Sequence, residues 1–188
     1  MTCLYASAVA AILVIVPQPR TPRPEQLPIT DPAAYKVYAA VVPPAWANVR
    51  PKGTMLLLQQ ETDIPRPCAA PASPQGDEWD AVERNYRENN TRVHRLLQSM
   101  LLLDVPYRLI SQAEIEADDA RLALKYPGIW QRRPESMDFV AVSAVGFNVE
   151  GTKALVYVRA RDSGTVRPME LLDGQWVHAK GRGCGWIA

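Results

Sequence analysis

The chain has 188 residues, 47% of them hydrophobic and 22% charged, enough for one domain with a sizeable core and short for two. Its 21 basic and 20 acidic side chains nearly cancel. No strong field recruits nucleic acid or an anionic membrane, so neither is expected as a partner of the domain's surface.

The first element is the apolar run at residues 4–16. Thirteen residues of helix rise only about 20 Å, short of a hydrocarbon core of about 30 Å. The run suits a secretory signal peptide better than a membrane span. An uncleaved apolar anchor and a buried N-terminal strand or helix are the alternatives. Pro17, Pro19, Pro22, Pro24, Pro28 and Pro32 follow. Proline at this density removes backbone donors and fixes φ, so residues 17–32 read as an extended tether. Residues 33–188 then form a single domain.

Asp31 is a suitable N-cap, with Pro32 at the first helical position. Tyr35, Tyr38 and Val42 recur at helical spacing, and Pro43-Pro44 is expected to stop this helix. Met55 to Leu58 read as a buried strand. A second proline-rich loop carries Cys68. From 77 to 103 the spacing predicts one long amphipathic helix, with Trp79, Val82, Tyr86, Val93, Leu97 and Met100 on its apolar stripe. Its polar face carries Glu83, Arg84, Arg87, Glu88, Arg92 and Arg95. Tyr107 to Ile110 suggest a short strand, after which Ser111 and Glu114 complete a capping-box pattern. Beyond Pro127-Gly128 the chain becomes rich in Val, Leu and aromatics, broken by "VEG", "RDSG" and Asp173-Gly174. This predicts a meander of three or four antiparallel strands. The fold class is therefore α+β, with N-terminal helices packed on a C-terminal antiparallel β-meander and the long helix on its apolar face.

Chemistry-bearing patterns are sparse. In the hairpin "VGFNVEGTKALVYV", Gly146 fits a bulge or a close backbone approach, and Asn148 fits the turn. Both are needs of scaffold rather than of a site. There are two histidines: His94, expected on the solvated face of the long helix, and His178, expected at the end of the last strand. With no histidine pair at metal spacing and no C-x-x-C, no metal site is expected. The acidic set Glu114, Glu116, Asp118 and Asp119 lacks the calcium-loop spacing. Arg132-Arg133 fits a surface turn or an anion grip. "GRGCGW" follows the final predicted strand with no helix after it, so no nucleotide loop and no cofactor are expected. Glu61, just after the strand at 55–58, is the best isolated candidate for a catalytic carboxylate, and His178 is a separate, weak candidate base. If Cys3 leaves with a signal peptide, Cys68 and Cys184 remain. An oxidising compartment would favour their pairing, about 4 kcal/mol by chain entropy, and two separate thiols are the alternative.

Tyr126-Pro127-Gly128, then Ser143, Val145, Gly146, Phe147 and Asn148, the run 154–158, and Gly174 with Trp176 together resemble a family of uncharacterised exported bacterial α+β domains. Residues 96–111, with Asn89-Asn90 upstream, are also similar, so the likeness spans about residues 35–177. It implies the α+β fold and export, and no activity. The family's Cys-Gly-rich loop between the last two strands is replaced here by "RDSGTVRP", without cysteine.

The reading is an exported domain with a non-enzymatic binding or structural role at the cell envelope. It touches membrane only through the N-terminal apolar segment. The alternative is a small hydrolase using Glu61 or His178 in a cleft between the sheet and the long helix.

Overall fold

A computed structural model describes residues 26–50, 54–65, 74–128, 135–160, 163–180 and 184–187. The apolar run at 4–16 and most of the tether lie outside these residues. Among them no helix is long and apolar enough to cross a membrane. The fold is α+β. Three helices, α1 (Pro32–Ala47), α2 (Asp77–Asn89) and α3 (Gln112–Lys125), pack with a mixed sheet.

Within the sheet, β2 (Leu56–Gln59) lies between β4 (Tyr107–Ile110) and β5 (Val140–Val142) and runs parallel to both. From β5 the pairing is antiparallel, through β7 (Lys153–Ala160) to β8 (Ser163–Leu172) and β10 (Cys184–Ile187). The short β6 (Gly146–Phe147) pairs with β7, and β9 (Gln175–His178) pairs with β8. A separate two-strand parallel pair joins β1 (Leu27–Pro28) to β3 (His94–Arg95). The end of the segment expected as a tether is thereby docked, and Tyr35 Oη donates to Ile29 O at 2.9 Å.

Strand β7 explains the layering. Its alternating side chains divide between two cores, because successive strand residues point to opposite faces. Ala154, Val156, Val158 and Ala160 join α1 on one face. Leu155 and Tyr157 join Trp79, Val82 and Tyr86 of α2 on the other. Each buried anchor of α2 contributes about 1.5–3 kcal/mol. The exposed Glu83–Arg87 pair on the same helix, 2.8 Å apart, is worth about 0.3–0.5 kcal/mol. Packing, not surface charge, holds α2.

The structure shortens the predicted long helix to half its length. At its end Asn90 Nδ2 donates to Tyr86 O at 2.8 Å and Thr91 Oγ1 donates to Glu88 O at 3.0 Å. These side chains satisfy carbonyls that a further turn would have used. The chain then extends through β3 and a 3-10 turn (Gln98–Met100). Leu97 and Met100 pack against the α1 core from there, so the apolar repeat beyond Tyr86 belongs to a different element.

Pro43-Pro44 does not stop α1, which continues to Ala47 with both prolines inside it. Proline inside a helix costs about 3 kcal/mol. The extra turn offsets this by burying Ala45 and Trp46 and by a hydrogen bond from Trp46 Nε1 to Thr54 O. The caps are as expected: Asp31 Oδ1 accepts from Ala33 N, and Ser111 with Glu114 forms a full capping box. The meander is larger than its sequence signature. It continues into parallel β2 and β4, β8 begins at Ser163 inside the expected "RDSG" turn, and β10 is an additional edge strand. The turn between β8 and β9 is at Asp173-Gly174, both at positive φ.

Candidate functional site

Residues 143–148 carry the distinctive part of the sequence, and the helix above them explains it. Past Val142 the strand breaks, and no neighbouring strand supplies partners for its outer edge. Three asparagines of α2 and its end do so instead. Asn90 Oδ1 accepts from Ala144 N at 3.0 Å while its Nδ2 donates to Ala144 O at 3.0 Å, the pattern of a strand neighbour. Asn89 Nδ2 donates to Val145 O at 2.8 Å, and Asn85 Oδ1 accepts from Phe147 N at 2.8 Å. Backbone groups buried here would each cost about 1–3 kcal/mol if left unpaired. Ser143 bridges the break, its Oγ accepting from Tyr157 N at 2.9 Å.

This arrangement requires α2 to lie on the strand. A Cβ at Gly146 would stand 2.4 Å from both Cα and N of Tyr86. Close backbone approach, rather than a bulge, is therefore the reason for glycine. Asn148 organises the following turn. Its Oδ1 accepts from Thr152 N and Lys153 N, and its Nδ2 donates to Glu150 and Thr152 side chains. The hairpin motif is scaffold. Burial pushes the hydroxyls of Tyr86 and Tyr38 upward. Tyr38 Oη donates to Ser143 O, whereas Tyr86 Oη has no partner among the described residues.

Glu61 lies in a polar network at the carboxyl end of β2. Its Oε2 accepts from Gln112 N, the first residue of α3, at 2.9 Å. It thus serves a free donor at a helix N-terminus, where negative charge is favoured. Gln112 also accepts from Gln59 Nε2 at 3.1 Å. Arg159 of β7 donates to Asp63 Oδ2 at 2.6 Å and to Gln59 Oε1 at 3.3 Å, its guanidinium 5.0 Å from the Phe139 ring centre. The network ties strand end, helix start and central strand together through mutually bonded groups.

His178 stands apart from Glu61. It is exposed on β9, opposite Met169 of β8. His94 lies on β3 rather than on a helix, with Nε2 3.0 Å from Asn89 O. The carbonyl is an acceptor, so Nε2 carries the proton. In the acidic set, Glu114 belongs to the capping box, and its bonds to Ser111 and then Arg108 hold its carboxyl below the usual range. Glu116 accepts from Gln112, and Asp118 from Arg121 and Met137 N. Among the described residues no group of three His, Cys, Asp or Glu side chains is placed to hold a metal ion. An open groove of about 380 Å³ runs along the charged outer face of α2, lined by Asp80, Glu83, Arg84, Arg87 and Glu88. It contains neither Glu61 nor His178. Cys184 packs against the α2 cluster; Cys68 and Arg132-Arg133 lie outside the described residues.

Sequence reasoning missed the asparagine ladder. Its signal was present: Asn85, Asn89 and Asn90 recur on one helix although asparagine is a poor helix former that competes for backbone hydrogen bonds. It also missed Arg159, whose partners are a hundred residues away in the chain. No family model, curated protein or solved structure matches the chain.

Proposed function

We propose that the chain is an exported domain with a non-enzymatic binding or structural role at the cell envelope, a member of the exported α+β family it resembles. The observation that carries the reading is the use made of Glu61, whose carboxylate is bonded to the backbone at the start of α3. His178, the other candidate, is solvent-exposed on β9. A hydrolase would need one of these in a cleft with convergent polar groups. The apolar run at 4–16, followed by the proline-rich segment, supports export. Pairing of Cys68 with Cys184 belongs to the same proposal and is expected in an oxidising compartment.

Three experiments test it. N-terminal sequencing of the exported protein should find residues 1–16 removed, and titration of the non-reduced protein should find no free thiol. A full-length cytosolic product with two or more free thiols rejects export. A panel of ester, glycoside and peptide substrates should show no turnover that Glu61→Gln or His178→Ala abolishes. Turnover lost in either variant establishes the hydrolase instead.

A further inference from the structure

On the α1 face of the sheet the acidic groups among the described residues lie at the helix ends, Asp31 at the N-cap and Asp138 bonded to Arg50 just past the C-terminus. Lys36 is the only charged residue within α1, and no acidic side chain occupies the positions of β7, β8 or β9 that face it. Arg167 of β8 lies on this face, because it stands directly opposite Val156 of the α1 core. It is half-buried and makes no hydrogen bond or ion pair among the described residues. Burial pulls its guanidinium below its ordinary value, with no compensating anion. A partly desolvated cation without a partner is costly and calls for one.

The strand register supplies a second cation. Met169 faces His178 across β8 and β9, and Ala179 N donates to Pro168 O at 2.9 Å, which carries the pairing one step further. β9 ends at His178; continuing its register two residues would set Lys180 opposite Arg167 on the same face, the spacing at which Cβ atoms of a strand pair stand about 4.5–5.5 Å apart. Like charges directly opposite each other destabilise a sheet, and an anion between them would replace that repulsion with two attractions. His178, two positions along β9 from Lys180, lies on that face as well. Arginine's planar fork and lysine's point charge together suit a phosphoryl group.

We propose that Arg167 and Lys180 form a binding site for a phosphate group at the margin of α1. This goes beyond the reading above and holds whether the domain is exported or catalytic. The test uses the full chain and inorganic phosphate as probe, followed by amide NMR at constant ionic strength against chloride. Phosphate should shift amides around residues 165–169 and 176–180 saturably, and Arg167→Gln should weaken it by about tenfold or more, as expected for loss of a charged hydrogen-bond pair. Lys180→Gln, at an exposed side chain, should weaken it by a smaller factor and keeps the test open if the arginine variant does not fold. Vesicles of phosphatidylcholine with phosphatidic acid form a second arm. Arg167-dependent sedimentation with them, alongside a weak response to free phosphate, assigns the phosphate to a lipid headgroup. Absence of saturable shifts together with no vesicle binding overturns the proposal. So does unchanged affinity in both variants, or an equal response to chloride.

Discussion

Gly146→Ala sets two effects of opposite sign against each other. Gly146 does not have a positive φ, so alanine is conformationally allowed there, and restricting the unfolded chain would by itself stabilise by about 0.4–1 kcal/mol. Against this, the new Cβ would meet Tyr86 Cα and N at 2.4 Å, where carbon atoms prefer about 3.5–4.0 Å. The obstacle is helix backbone, so no rotamer change relieves it, and α2 must retreat by about 1 Å. That retreat stretches the bonds that Phe147 N donates to Asn85 Oδ1 and Ala144 N to Asn90 Oδ1, now 2.8 and 3.0 Å, past the usual limit of about 3.2 Å. Overpacking of this kind costs about 1–3 kcal/mol, and the net change should be destabilising despite the entropic gain. Urea unfolding followed by circular dichroism measures it, and a chain of this size should lose about 2–4 °C of Tm per kcal/mol. Gly151→Ala is the comparison. It has open space around it but φ of +67°, so it loses about 1–2 kcal/mol through conformation alone and leaves exchange of the α2 amides unchanged. A Gly146→Ala protein as stable as the parent, or with α2 amides equally protected, refutes the close-approach argument.

Asn90→Ala leaves Ala144 N without a partner, while Ala144 O keeps the bond from Ser143 Oγ at 2.8 Å, and should destabilise by about 1–3 kcal/mol, read as a lower urea midpoint at unchanged slope. Tyr86→Phe removes a buried hydroxyl that has no partner among the described residues, and should be neutral or stabilising by up to about 1 kcal/mol in the same assay. Glu114 has a folded pKa below its ordinary value of 4.5. Its contribution is therefore fully present above that pH and is lost as pH falls through the lowered value. The stability difference between the parent and Glu114→Gln should shrink over that window, and only modestly, because the side chain is 45% exposed. Tyr38 and Tyr86 are shifted upward by burial. Their contribution is complete below pH 10 and lost above it, where the unfolded chain ionises first. Ultraviolet titration should show the two phenols ionising only together with unfolding.

Local signals were legible wherever they were decided locally. Asp31-Pro32 and the Ser111–Glu114 box mark helix starts because capping involves residues two or three apart. The alternation in 153–160 marks a strand because side-chain direction is a property of the strand itself. The Asp173-Gly174 turn follows from the conformations those residues tolerate.

Tertiary structure decided the rest. An apolar repeat from 79 to 100 looks continuous in one dimension, yet Trp79 and Tyr86 pack on one face of the sheet while Leu97 and Met100 pack on the other. Two prolines in α1 are tolerated because burial of Trp46 outweighs a rule about local donors. Gly146 and the asparagines of α2 acquire meaning only when the helix is set on the strand, since a Cβ clash and a borrowed ladder partner are relations between segments about sixty residues apart. The same holds for Arg167. Its charge is written in the sequence, but its lack of a partner among the described residues comes from the register of β8 and from a helix that carries no acid.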